Sequence, residues 1–481
     1  MPYANEGSSA TSHFDIIKNQ EVASFLSGCS YDAAAGARAD EIESLLVNVS
    51  GRVKPLTEGV ILASDGSPYE AVVQERFPSV RVGFLKFSNI LLLLPDYQRL
   101  KNTNARFIDP IEIARVQRMS QSLSMVLPGA GILRGSHQSS RCVLRETIFQ
   151  SFKNPDLISG GETLYNTYVD LIGRMGSLVT RNGKAGILFG AGRKSPATDV
   201  ALEQELFVPV EPGFAPAPDD PTKSVYLTDA LRVHEAFSDE GSNLECFNRL
   251  MTAMEHLLLA HMLRSAYRID PTVTDNLFAI VDGPLAIFGE PARFHRGLMS
   301  LIDELRNDAR GRNQHGPLVV GLSKTGKVVE HAQAIDHVLQ SADGGVTKRD
   351  GTWLLPVSDE YRYRYIQPAA VARDKNFGSE TYYGQTFILR TASGKVFDVC
   401  LAYPFPNKEA VGGRPFREAK MDLAAYGENL DRAVSLIELM QMDLYENSLI
   451  AVHLAHKYSS IAHSPGGRSL DNFVRQVVRP R

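Results

Sequence analysis

Two short apolar runs, LFAIVDGPL at 277–285 and GPLVVGLSK at 316–324, bracket an amphipathic stretch, FHRGLMSLIDELRND at 294–308. Each run suits a single strand, and the stretch between them repeats its apolar residues at helical spacing. Strand, helix, strand at this separation is a βαβ unit, which implies parallel pairing and a right-handed crossover.

The surrounding sequence changes texture several times. Residues 14–48 read as helical through FDIIKNQEVASFL and ADEIESLLVNV, and from 59 the runs GVILASD, SPYEAVVQERF and SVRVGFLKFSNILLLLPD read as strands. Asp-Gly between apolar runs is a hairpin signal, which puts Asp65 at the first corner of an antiparallel meander. Residues 110–126 and 141–178 carry helical patterns, and the Pro-rich PVEPGFAPAPDDPTKS at 209–224 reads as a linker or insertion. NLECFNRLMTAMEHLLLAHMLRSAY is a long helix with a wide apolar face. EYRYRYIQP and TFILRTASGKVFDVCLAYPF read as later strands, and helices close the chain from 421 to 461. A meander followed by parallel strands and flanking helices predicts a mixed-sheet α/β fold.

Composition narrows the class. Apolar residues at 43% and charged residues at 22% over 481 residues describe a globular chain with more than one average core. A net charge of −4 supplies no global basic field, which argues against a protein that coats nucleic acid but not against a nuclease, whose site must be acidic to hold metal. Cys29, Cys142, Cys246 and Cys400 form no CxxC pair, which points to a reducing compartment without structural zinc or disulfides. MPYANEGSSATSHFD lacks the basic and apolar regions of a signal peptide, and the longest greasy run, ILLLL at 90–94, is too short to span a bilayer. The expectation is a cytoplasmic protein that makes no use of a membrane.

Three apolar strands end in a functional group: VILASD at Asp65, LFAIVD at Asp282 and LVVGLSK at Lys324. Ligands collect outside the carboxyl ends of parallel strands, and carboxylates delivered there suit hard divalent cations. Asp-Gly is equally a turn dipeptide, so either aspartate alone reads as a turn; two at strand ends, with a lysine on a third, weigh evenly against that. Glu255 in LMTAMEHLLLAHM lies amid apolar residues, where a carboxylate is costly unless paired or metal-bound; the alternative puts it on the helix's polar edge beside His256. His453 and His456 in IAVHLAHKYSSIAH are i, i+3, and His463 follows without an HExxH pattern. Gly321 to Lys327 fits GxxxxGK, but Val328 stands where that motif needs a magnesium-binding hydroxyl. Tyr361, Tyr363 and Tyr365 alternating with Arg362 and Arg364 fit a half-buried strand, or less readily a single-strand channel.

The ordered set Asp65-Gly-Ser, Glu255, Asp282-Gly-Pro-Leu, Lys324 and AHK at 455–457, together with LTDALRVHE and RTASGKVFDVCLAYPF, resembles the NurA nuclease family over about residues 55–465. The resemblance implies an RNase H-like mixed-sheet core flanked by helices, Mn²⁺-dependent DNA cleavage with two ions (Mg²⁺ being the alternative), a homodimer, and a hexameric HerA-type ATPase partner. It implies that Asp65, Glu255, Asp282 and His456 are metal ligands, and that Lys324 contacts the scissile phosphate. Archaeal members place a tyrosine shortly before the histidine. Here Ser448 stands at that offset from His456 and Tyr445 at that offset from His453, which leaves the choice of histidine open. The implied organisation is a helical extension over 1–50 and a nuclease domain over 51–481 with an insertion near 100–225. The competing readings are a P-loop-like NTPase using 321–327 and a non-catalytic adaptor for a DNA motor.

Overall fold

The computed structural model describes residues 13–29, 39–102, 121–135, 139–158, 161–342, 347–367, 377–441, 449–461 and 466–478. Its centre is a nine-stranded mixed sheet. In chain order the strands are β1 (Val47–Asn48), β2 (Val60–Gln74), β3 (Phe77–Leu93), β4 (Gln121–Pro128), β5 (Leu277–Asp282), β6 (Leu318–Ser323), β7 (Trp353–Pro356), β8 (Gly384–Arg390) and β9 (Val396–Ala402). Their spatial order is β1-β7-β8-β9-β6-β5-β2-β3-β4. The sheet is therefore the predicted mixed α/β one. β5 pairs in parallel with both β2 and β6, and all other neighbours are antiparallel.

Eight helices matter here: α1 (Ser140–Lys153), α2 (Leu164–Arg174), α3 (Leu244–Ile269), α4 (Phe294–Gly311), α5 (Lys327–Ala334), α6 (Glu428–Met440), α7 (Ile450–Ser459) and α8 (Gly466–Val477). α4 is the crossover between β5 and β6, as the opening pattern requires. The strand alternation sorts the core into two faces. Leu62, Ala279, Val281 and Val319 join α1 to α4 on one face, while Ile61, Ala63, Phe278, Ile280, Leu318, Val320 and Leu322 join α6 and α7 on the other. Strands buried on both faces read as continuous apolar runs, which is how β5 and β6 appear in the sequence.

Several expectations need correction. The Asp65-Gly66-Ser67 stretch is no corner, because β2 runs through it without a break and the hairpin turn comes only at 75–76. Residues 121–126 are strand, not helix, since Leu123, Met125 and Leu127 alternate inward while Ser122, Ser124 and Val126 face out; the remainder of that reading, at 110–120, contains residues 110–120 outside the described ones. EYRYRYIQP is a helical segment, Asp359–Tyr361 continuing through Arg362–Ile366, rather than a strand. Tyr361 is buried and bonds His331 Nε2, and Arg362 lies buried with its guanidinium 4.0 Å from the Phe377 ring. Tertiary packing of these rings has overridden the alternation. The Pro-rich stretch contains Phe214–Pro216, which pairs with Ser224–Tyr226 and buries Ala215 and Ala217. No described helix is long and apolar enough to cross a membrane.

Candidate metal centre

Parallel pairing ends at Val281↔Ser64 on one side of β5 and Asp282↔Leu322 on the other. Asp282 and Lys324 thus stand at or just beyond the carboxyl ends of β5 and β6, whereas Asp65 is not the strand end expected from the sequence but lies within β2, where its parallel pairing with β5 stops. Alternation fixes the direction of all three: they continue the series Ile61–Ala63, Phe278–Ile280 and Val320–Leu322, all on the α7 face. α7 is held there by Ile450, Ala451, Val452, Leu454 and Ala455 in the core, which leaves His456 at its rim with half its side chain exposed.

The side chains meet. His456 Nδ1 lies 3.0 Å from Asp65 Oδ2, and Lys324 Nζ donates to Asp282 Oδ2 at 2.6 Å. One donor atom from each of Asp65, Asp282 and His456 fits within 4.8 Å of the others. Two carboxylates and an imidazole at that separation are a fitting donor set for a Mn²⁺- or Mg²⁺-like cation. Asp65 is 6% exposed, so its charge must be met locally; Ser459 Oγ donates to the same Oδ2 that faces His456. Sequence reasoning missed Ser459, although its i+3 offset from His456 marks the same helix face.

Glu255 reaches the site from the other face of the sheet. α3 packs across β2, and Glu255 Oε1 accepts the Gly66 N–H at 2.9 Å. Among the described residues it stands outside the Asp65–Asp282–His456 triangle. Burial, then the negative charges of Asp65 and Asp282, push its carboxyl well above the ordinary value. Asp282 is also raised, chiefly by burial, against the opposing pull of Lys324. Three carboxylates crowd one locality, and a divalent cation would relieve that repulsion. His453 is not part of the triangle; burial and then the charges of Lys324, His456 and Lys457 lower its imidazole. Tyr445, Ser448 and His463 lie outside the described residues.

Gly66 explains why Asp-Gly here is not a turn. A Cβ at this position would sit 2.8 Å from Met251 Cγ, 2.9 Å from Glu255 Oε1 and 3.0 Å from Phe87 Cε1. The glycine lets α3 close onto the strand and bring its carboxylate to the backbone. Gly66→Ala is therefore expected to destabilise the chain by roughly 1–3 kcal/mol through overpacking, read as a lower urea midpoint. An unchanged midpoint would show that α3 does not approach this closely.

The stretch 321–327 is a strand end followed by the start of α5, with Gly326 preceding Lys327. Val328 is 7% exposed and packs in a core cluster, so the position that should hold magnesium through a hydroxyl is apolar and buried. Lys324 is directed to Asp282. A second overlooked group is Asp398 on β9, opposite Ser323 in the register; burial pushes its carboxyl up to about 6, with Ser323 and Arg362 pulling the other way. The signal was an acid at an inward position of the apolar strand VFDVCLA.

Fold and site together define an α/β protein with a carboxylate-and-imidazole centre where the parallel pairing of its sheet stops. No protein-family model matches the chain, and no curated protein matches it. Its structure is similar to the crystal structure of the NurA nuclease from Sulfolobus solfataricus, at 9% identity and a TM-score of 0.36, covering 97% of this chain and 96% of that one. It is similar also to a second NurA crystal structure, at 12% identity, a TM-score of 0.30, and 97% and 98% coverage. A third, NurA bound to dAMP and manganese, gives 12% identity, a TM-score of 0.30, and 96% and 97% coverage.

Proposed function

We propose that the chain is a divalent-metal-dependent deoxyribonuclease whose centre is Asp65, Asp282 and His456. The observation that carries the proposal is the convergence of these three donors within 4.8 Å beside the carboxyl end of β5, with Lys324 next to them. The ordered sequence resemblance to NurA nucleases supports DNA as the substrate, Mn²⁺ as the ion with two ions bound, and an RNase H-like core.

Asp65, Asp282 and His456 would hold the metal, and Glu255 would complete or flank the set from the α3 side. Bound there, the cation supplies Lewis acidity toward a phosphodiester and lowers the pKa of a water nucleophile. Ser459 donates to one oxygen of Asp65 and would help hold that carboxylate in place for a cation. Lys324 places a positive charge at the strand-end cleft, where it neutralises the non-bridging oxygens of the scissile phosphate as negative charge builds. His456, half exposed, would hold the cation through one ring nitrogen and present the other to orient water. The chain would act as a homodimer fed by a hexameric HerA-type ATPase, in DNA end processing or defence against invading DNA.

The test is incubation of the purified chain with end-labelled linear DNA and with circular DNA, with Mn²⁺ or EDTA, and with or without the partner ATPase. Cleavage that requires Mn²⁺ supports the proposal. No cleavage of either substrate with metal and ATPase present overturns it. Nucleotide hydrolysis dependent on Lys327 would instead support the NTPase reading.

A further inference from the structure

Outward from Asp65, the same face of the sheet carries a strip that the metal centre does not use. Asp65 pairs with Ser88 of β3, and Ser88 with Ser122 of β4; one step further out, Ser67 pairs with Lys86, and Lys86 with Ser124. Register partners share a face, so Ser67, Lys86, Ser88, Ser122 and Ser124 lie on the Asp65 side. These positions hold four hydroxyls and one amine and no acid. Ser122 and Ser124 are exposed, Lys86 is partly exposed, and the neighbouring Val126 is 56% exposed. Ser88 Oγ is buried and has no hydrogen-bond partner among the described residues.

Packing marks the strip's limits. α8 covers the outer hairpin through Val474 against Ala71, Val73, Val82 and Phe84. The chain leaving α7 passes beside Ser67, with the Ile461 N–H 3.5 Å from its Oγ. Lys86 is a diagonal neighbour of Asp65, about 7–8 Å away. The β4 serines are two strand spacings from β2, roughly 10 Å. Lys324, just beyond the end of β6, stands on the opposite side of the two aspartates.

We propose that Lys86, with Ser67 and the exposed Ser122 and Ser124, forms a track for the phosphodiester backbone of a nucleic-acid strand running from the carboxylate centre across β3 and β4. This rests on the nuclease reading above. An amine neutralises one phosphate and serine hydroxyls donate to its oxygens, a contact set that positions a backbone without reading its sequence. The absence of acids at these five positions suits a backbone path, because a carboxylate there would repel the phosphates. Lys86 is a positioning residue, and Lys324 acts at the reacting phosphate.

The experiment measures binding of a fluorescein-labelled single-stranded oligodeoxynucleotide with Ca²⁺ in place of Mn²⁺, over a salt series, together with Mn²⁺-dependent kcat and KM. Lys86→Met is expected to weaken binding about 5–10-fold and to reduce the slope of log affinity against log salt by about 0.7, the signature of one lost phosphate contact. Lys86→Arg should restore most of the affinity, and Ser124→Asp, an exposed change, should weaken binding to a similar degree. In all three, kcat at saturating DNA should stay within about twofold, because the chemistry is left intact. Wild-type affinity and slope in both Lys86→Met and Ser124→Asp would overturn the track while leaving the nuclease reading in place. A wild-type chain that neither binds nor cuts DNA would overturn both.

Discussion

Asp282→Ala is expected to lower Mn²⁺-dependent DNA cleavage by about 10³-fold or more, equivalent to about 4 kcal/mol of transition-state stabilisation. Asp65→Ala should do the same, for a different structural reason. Asp282 is partly exposed and holds Lys324, so its loss would take away a proposed metal donor and free the lysine from its 2.6 Å contact. Asp65 is nearly fully buried and receives both Ser459 and His456, so alanine removes the group on which both side chains converge, while Ser459 Oγ keeps the His456 carbonyl as a partner. Asn at either position separates the roles: it keeps an acceptor in place while removing the charge. Asp282→Asn should be inactive yet unfold no earlier than wild type in EDTA, because one charge has left a repelling group. Substantial cleavage by either alanine variant would remove that residue from the metal set.

Glu255→Gln should move stability and activity in opposite directions. The glutamate's carboxyl is raised because burial and the charges of Asp65 and Asp282 disfavour ionisation in the folded chain. A carboxyl raised on folding releases its proton more readily when unfolded, so metal-free stability falls as pH rises above the ordinary value of 4.5. Glutamine keeps the carbonyl that accepts the Gly66 N–H and carries no charge. In EDTA at pH 7.5 the variant is therefore expected to unfold a few degrees above wild type, a gap that closes as pH approaches 4.5. With Mn²⁺ the order should reverse, since the cation favours the ionised carboxyls of the wild type, and cleavage by the variant should fall. A glutamine variant that melts below wild type in EDTA at pH 7.5 would show that the charge is already neutralised by some other group.

The βαβ unit was legible because β5, α4 and β6 are local, and their patterns follow from burial on both sheet faces. The strand-end positions of Asp282 and Lys324 could be read for the same reason, whereas Asp65 lies within β2, which continues to Gln74. What failed depended on contacts distant in sequence. Gly66 reads as a turn until α3, almost two hundred residues later, is seen to close on it. The tyrosine–arginine alternation reads as a strand until His331 and Phe377 are seen to enclose Tyr361 and Arg362. Ser459 and Asp398 went unnoticed since a serine near a histidine, or an acid within a strand, gains meaning only from what lies across the sheet. His456 rather than His453 meeting Asp65 is likewise a matter of how α7 is rotated by its buried leucine and valine residues.

The central claim is that Asp65, Asp282 and His456 form one metal centre, and Mn²⁺ titration followed by thermal unfolding tests it most directly. Wild type should bind Mn²⁺ saturably and gain about 2.7 kcal/mol of stability at a hundredfold excess over Kd, the gain following from binding to the folded chain alone. Asp65→Asn and Asp282→Asn should each lose most of that gain. A wild-type unfolding midpoint indifferent to Mn²⁺, or one raised equally in both asparagine variants, would contradict the assignment.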